Sequence, residues 1–152
     1  MTALISLIVV MVVSGCSPDV GNVVNVGPSA EHQIESIMAG VDEMNALVGE
    51  ELFTIKIVDS DKRIDGEIIV RHRAEPFSNP KQTAHCSNTR EGIIISIMDR
   101  CNGRCVLHEL GHASGLVHVS DSENTMFEVW GKARLTEAQK QRVLRTKVSG
   151  VW

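Results

Sequence analysis

The chain has 152 residues, enough for one domain and too few for two. Its formal net charge is -4, with acidic and basic residues scattered and no basic stripe, which argues against a nucleic-acid partner. Tyr is absent and there are only three Phe and two Trp, which leaves no surface for stacking bases or sugars.

The N-terminal run "ALISLIVVMVV", residues 3–13, is apolar apart from Ser6. It falls short of the ~20 residues a membrane-spanning helix needs and suits the apolar core of a secretory signal. Val13-Ser14-Gly15-Cys16 follows, small residues ending in a cysteine, and resembles a bacterial lipobox. The resemblance implies removal of residues 1–15 and acylation of Cys16. The acyl chains would anchor the protein to the membrane, each buried CH₂ contributing ~0.8 kcal/mol. Ser17 rather than Asp follows the cysteine, which favours the outer membrane in a double-membraned cell. The leading "MT" departs from the pattern, having no Lys or Arg. A plain secretory signal with an unrelated cysteine is the alternative. Either way the protein is expected to be exported to the bacterial cell envelope.

Residues 16–28 read as a tether in which "NVVNV" can form a first short strand, and residues 29–152 as the domain. Pro28 and Ser29 announce a helix with Ser29 as N-cap, and Ile34, Ile37, Met38, Val41, Met44 and Val48 recur at helical spacing up to Gly49. "LFTIKIV" (52–58) and "EIIVRHR" (67–73) read as strands, "QTAHC" (82–86) as a short edge strand, and the β-branched "GIIISIM" (92–98) as a strand covered on both faces. "CVLHELGHASG" then reads as a helix, and "LTEAQKQRVLRTKV" as another, with Thr136 and Gln139 as a capping box and Leu144 and Val148 on one face. Strand, helix, strands, helix imply a sheet with helices packed on it.

His108 and His112 stand four apart, on one face of that helix, where two imidazoles can share a zinc ion. Glu109 lies about a hundred degrees round the helix, beside the metal, and suits a general base acting on zinc-bound water. If the helix ran on past Gly115, His118 would lie roughly 15 Å along the axis from His108, too far to share an ion. Gly115 is therefore expected to end the helix in the left-handed conformation and let the chain turn His118 back. Three ligands leave a fourth position open, as a catalytic rather than structural site requires.

"HELGHASGLVH" with Met126 eight residues on, in "ENTMF", resembles the metzincin clan of zinc peptidases, whose signature is HExxHxxGxxH followed by a methionine turn. The short gap to the methionine is most similar to the matrixins, and "TAHC" resembles their edge strand. The resemblance implies an α+β zincin fold. Its parts would be a twisted mixed sheet of about five strands with an antiparallel edge strand, a backing helix, an active-site helix and a C-terminal helix. It further implies one catalytic zinc on His108, His112 and His118, Glu109 as base, and Met126 as an apolar floor. Substrate would lie along Thr83, Ala84 and His85. Several residues depart from the matrixin pattern. His85 alone stands where ligands of a second, structural zinc would be, so no complete structural site is expected and His85 reads as an edge-strand residue. Val119 replaces a serine after the third ligand, and Glu128, with Trp130 near, replaces a pocket-wall proline.

Of the remaining cysteines, Cys101 and Cys105 are expected to close a small disulfide loop before the active helix, leaving Cys86 over, with a Cys86–Cys101 pairing and a Cys/His metal site with His108 as the alternatives. His32 and His72 show no partner pattern and read as solvated. Asp121 and Glu123 read as an exposed loop rather than a calcium site. The function expected is an exported, lipid-anchored, monomeric zinc endopeptidase acting on protein or peptide. A zinc-binding lipoprotein without catalysis and a zinc hydrolase acting on cell-wall peptides are the alternatives.

Overall fold

The structure is a computed structural model that describes residues 22–64, 67–89, 92–128 and 131–146. Cys16, the signal segment, Trp130 and Val148 lie outside these residues. The described residues form five strands, β1 (Asn22–Val26), β2 (Phe53–Ile57), β3 (Ile68–His72), β4 (Ala84–Thr89) and β5 (Gly92–Ile97), of which β4 alone is mostly polar. They make one mixed sheet in the order β2-β1-β3-β5-β4. β1 pairs in parallel with β2 and β3, β3 in parallel with β5, and β4 runs antiparallel to β5 at the edge. All six residues of β5 are buried, as a strand of almost unbroken β-branched residues covered on both faces should be.

Among the described residues three α-helices accompany the sheet: α1 (Ile34–Val48), α2 (Gly103–Ala113) and α3 (Glu137–Arg145). Ile37, Val41 and Met44 of α1 join Val24, Val26, Val70, Ile95, Val106, Leu107 and Leu110 in one core. The domain is thus α+β with a five-stranded mixed sheet and an antiparallel edge strand, in line with the expected architecture.

The structure corrects several local expectations. Ser29 caps no α-helix: it sits inside a 3-10 helix, Pro28–Gln33, and α1 begins only at Ile34. Its hydroxyl instead donates to Asp61 Oδ1 at 2.8 Å and accepts from the His72 backbone N–H at 2.9 Å, a tertiary use that competes with capping. Met38 keeps the spacing of the buried face yet is 48% exposed. In β2 only Phe53 is fully packed and Ile57 is 56% exposed, because an edge strand leaves its far end uncovered. β4 starts at Ala84 and runs to Thr89, since its length is set by pairing with β5 from Ala84↔Ile97 to Thr89↔Gly92.

α3 has the expected capping box, in which Thr136 Oγ1 accepts from the Gln139 backbone N–H and the Gln139 side chain accepts from the Thr136 backbone N–H. Its buried residue is Val143, not Leu144, which is half-buried. Thr136→Ala removes the N-terminal partner of a short helix and is expected to cost about 1 kcal/mol. Urea unfolding of the variant beside the parent measures this, and an unchanged midpoint would show that the cap contributes nothing.

Candidate metal centre

α2 is launched by Asn102, whose Oδ1 accepts from the Cys105 backbone N–H at 3.2 Å. Cys101 and Cys105 form the expected disulfide, closing the turn that enters the helix. From there α2 runs beside the edge strand in the same direction. Thr83 Oγ1 lies 3.6 Å from Cys105 Sγ, the Cys86 backbone lies near enough to Glu109 to favour its carboxylate, and Asn88 Nδ2 donates to the His112 carbonyl at 3.2 Å.

The helix ends as its glycine requires. Gly115 has φ 75°, the left-handed region. The Leu116 N–H returns to the Gly111 carbonyl and the Gly115 N–H to the His112 carbonyl, both at 2.9 Å, a Schellman closure. The turn does two things at once. It swings His118 back over the helix, and it aims the Leu116 carbonyl at His112 Nδ1, 2.9 Å away.

The three histidines converge through their Nε2 atoms. His108 and His118 approach to 3.2 Å, and His112 stands 3.1 Å from each of them. His108 Nδ1 lies 2.8 Å from the Thr125 carbonyl. A carbonyl oxygen only accepts, so Nδ1 of His108 and of His112 each carry the proton. Their Nε2 atoms then present lone pairs to one another with no proton between them, and a cation resolves this. A tetrahedral ion with Zn–N of 2.0–2.1 Å sets its nitrogens about 3.3 Å apart, close to the spacing found. The donor set therefore fits a zinc-sized ion. The two carbonyls are the outer partners that fix ring orientation in such centres.

Burial lowers the His108 pKa to about 4, with His112 and His118 adding to the effect and the Thr125 carbonyl opposing it. Burial likewise lowers His112. Both rings thus stay neutral and able to ligate. Glu109 is 6% exposed, and burial pushes its carboxyl up to about 7, with the Cys86 backbone pulling the other way. A cation on the histidines would draw it back toward the carboxylate.

These shifts act in opposite senses on the metal-free protein. Between pH 6.5 and 4 the unfolded chain binds more protons than the folded one at His108, so stability is lost as pH falls. Between pH 7 and 4.5 the folded state binds more at Glu109, so stability is gained as pH falls. Chelated Glu109→Gln lacks the second effect and is expected to lose more stability than the chelated parent between pH 7.5 and 5. Urea titrations at the two pH values test this, and parallel losses would contradict it.

Met126 is fully buried, its sulfur packed against Gly111 in the turn between His108 and His112, where any Cβ would collide. Its loop is held from several sides. Val119 N–H donates to the Met126 carbonyl at 3.0 Å, Asn124 Oδ1 accepts from the Met126 N–H at 2.9 Å, and Asn124 Nδ2 donates to Gln139 Oε1 at 2.8 Å. Gln139 thus caps α3 and anchors the loop whose Thr125 carbonyl orients His108.

The other singled-out residues lie as follows. Ala84 is buried on β4, while His85 is exposed, its ring near Gln82 and Phe77. Thr83 is buried just before the strand, and its carbonyl accepts from the Met98 N–H at 2.8 Å. That bond fixes the alternation: Thr83 and His85 turn their main chains toward β5, whereas Ala84, Cys86 and Asn88 turn theirs outward, toward α2. The main-chain groups turned outward on this edge are therefore those of Ala84, Cys86 and Asn88, and of the expected Thr83, Ala84 and His85 only Ala84 is among them. Cys86 is a free thiol that burial, reinforced by Glu109, holds protonated. Asp121 accepts from the Glu123 N–H and Glu123 pairs with Lys132 at 2.6 Å, in a loop that includes the exposed Glu128. His32 and His72 are not the unpartnered side chains expected, since both meet Asp99. The Asp99 carboxyl is held below its ordinary range, chiefly by the His32 hydrogen bond.

Sequence reasoning missed Thr125, Leu116, Asn124 and Cys86. Three of them act through backbone atoms, which leave no side-chain signature. No protein-family model matches the chain, and no curated protein matches it. The established picture is a small α+β domain whose His108, His112 and His118 can hold a metal ion.

Proposed function

We propose that the protein is a zinc-dependent endopeptidase of the metzincin type, exported and anchored through Cys16. One observation carries the reading: three Nε2 atoms within 3.1–3.2 Å of one another, with a buried carboxylate, Glu109, on the helix that carries His108 and His112. A structural site has no use for that carboxylate, whereas hydrolysis needs a base there. Zinc held by His108, His112 and His118 would supply Lewis acidity, polarising the scissile carbonyl and acidifying water.

The chain's own residues supply the rest. The Thr125 and Leu116 carbonyls lock the rings of His108 and His112 in the ligating tautomer. The outward main-chain groups of Ala84 and Asn88 and the Cys86 carbonyl offer an extended peptide a strand to pair with. The nearby Cys86 backbone favours the Glu109 carboxylate against the burial that disfavours it. The Glu109 carboxylate takes a proton from the attacking water and returns it to the leaving amine. The disulfide suits an oxidising compartment, and so supports export.

A pool of mixed unstructured peptides incubated with the zinc-loaded protein tests the reading. Internal peptide bonds should be cut, cutting should stop on chelation, and stoichiometric zinc should restore it. An intact pool in the presence of loaded protein would overturn it.

A further inference from the structure

A second convergence of ligating side chains lies at the other end of the sheet. His112 sits beside Asn88, which pairs with Ile93 near the start of β5, whereas His72 ends β3 opposite Ile97 at the end of β5. There three segments meet at the C-terminal ends of parallel strands, a usual place for ligands in such sheets. The 3-10 helix after β1 brings His32, β3 ends in His72, and Asp99 follows β5. His32 Nε2 lies 3.1 Å and His72 Nε2 3.0 Å from the same oxygen, Asp99 Oδ1.

The two rings meet edge to face with centroids 5.0 Å apart and planes at 75°. The His108–His112 pair does the same at 4.7 Å and 85°. Two imidazoles whose Nε2 atoms converge on one point adopt this disposition. The ligating atoms of His32, His72 and Asp99 all lie within 4.8 Å of one another, as do those of the first centre. The frame is also braced. The His72 backbone N–H and the 3-10 helix are joined through Ser29 Oγ, which is itself fixed on Asp61. Two imidazole nitrogens and one carboxylate suit a divalent transition cation, not calcium or magnesium, which prefer all-oxygen shells. Asp99 is 77% and His32 54% exposed, so water completes the coordination.

We infer that His32, His72 and Asp99 form a second, solvent-open site for a divalent transition cation, with zinc as its probe. An ion there ties the 3-10 helix before α1, the end of β3 and the connection into α2 to one point. The inference does not depend on catalysis: a protein that binds two zinc ions and cleaves nothing keeps it and loses the peptidase reading.

Equilibrium dialysis of the untagged full chain against micromolar zinc at neutral pH, with elemental analysis, tests it. The parent should hold two zinc ions per chain, and Asp99→Asn and His32→Ala one each. Both substitutions are at exposed side chains and should leave the fold intact. The double variant His108→Ala, His112→Ala should keep one zinc, which adding Asp99→Asn removes. One zinc in the parent, or two in both Asp99→Asn and His32→Ala, would overturn the inference.

Discussion

Glu109→Gln is expected to keep its zinc and to lose peptide hydrolysis, with kcat lowered about 10²–10⁴-fold. The amide has nearly the shape of the carboxylate and retains an oxygen for the Cys86 backbone, so the packing of α2 against β4 should survive. What it lacks is the ability to take up a proton. Glu109 sits one residue after a ligand, on a helix that Cys101–Cys105 and Asn102 fix at its start. Metal content and peptide turnover measured on one preparation separate the roles. A variant that cuts as fast as the parent would remove Glu109 from the mechanism, and one that has lost its zinc would show that the side chain holds the site together.

The second large effect is expected at Gly115, far from any proton transfer. Its φ of 75° is one that a residue with a Cβ adopts at about 1–2 kcal/mol, and a β-branched residue does worst there. Relaxing that angle would displace His118 and the Leu116 carbonyl that orients His112, and with them two of the three side chains proposed to hold the ion. Gly115→Val should therefore lower stability by about 1–2 kcal/mol. It should also weaken zinc about 10–100-fold, the scale on which outer-shell partners act. Gly115→Asn, which tolerates the left-handed region, should lose much less. Chelator competition and urea unfolding read the two quantities. Equal zinc affinity in Gly115→Val and the parent would mean that the turn does not deliver the ligand.

Much of this site could be read in the sequence because its parts are local. His108 and His112 are brought together by helical periodicity alone, and Gly115 announces the turn that returns His118. Met126 and the Cys101–Cys105 pair also lie close along the chain. The strands were legible for a similar reason, since "GIIISIM" has a composition suited only to a buried strand. Features that depend on contacts between distant segments were not. Ser29 looks like a helix cap until Asp61 and His72 are seen to claim its hydroxyl. His32, His72 and Asp99 are far apart in sequence, and only the parallel order of β1, β3 and β5 places them together. The main-chain alternation of β4 depended on its register with β5, which a short edge strand does not declare.

In the proposed centre three imidazoles hold one zinc, with a position left open beside Glu109. Zinc K-edge absorption of the Asp99→Asn chain, loaded with one equivalent, tests it most directly, because the second cluster is then disabled. Three imidazole nitrogens at about 2.0–2.1 Å and one oxygen ligand from solvent are expected. A sulfur in the shell, which would bring in Cys86, or fewer than three imidazoles would contradict it.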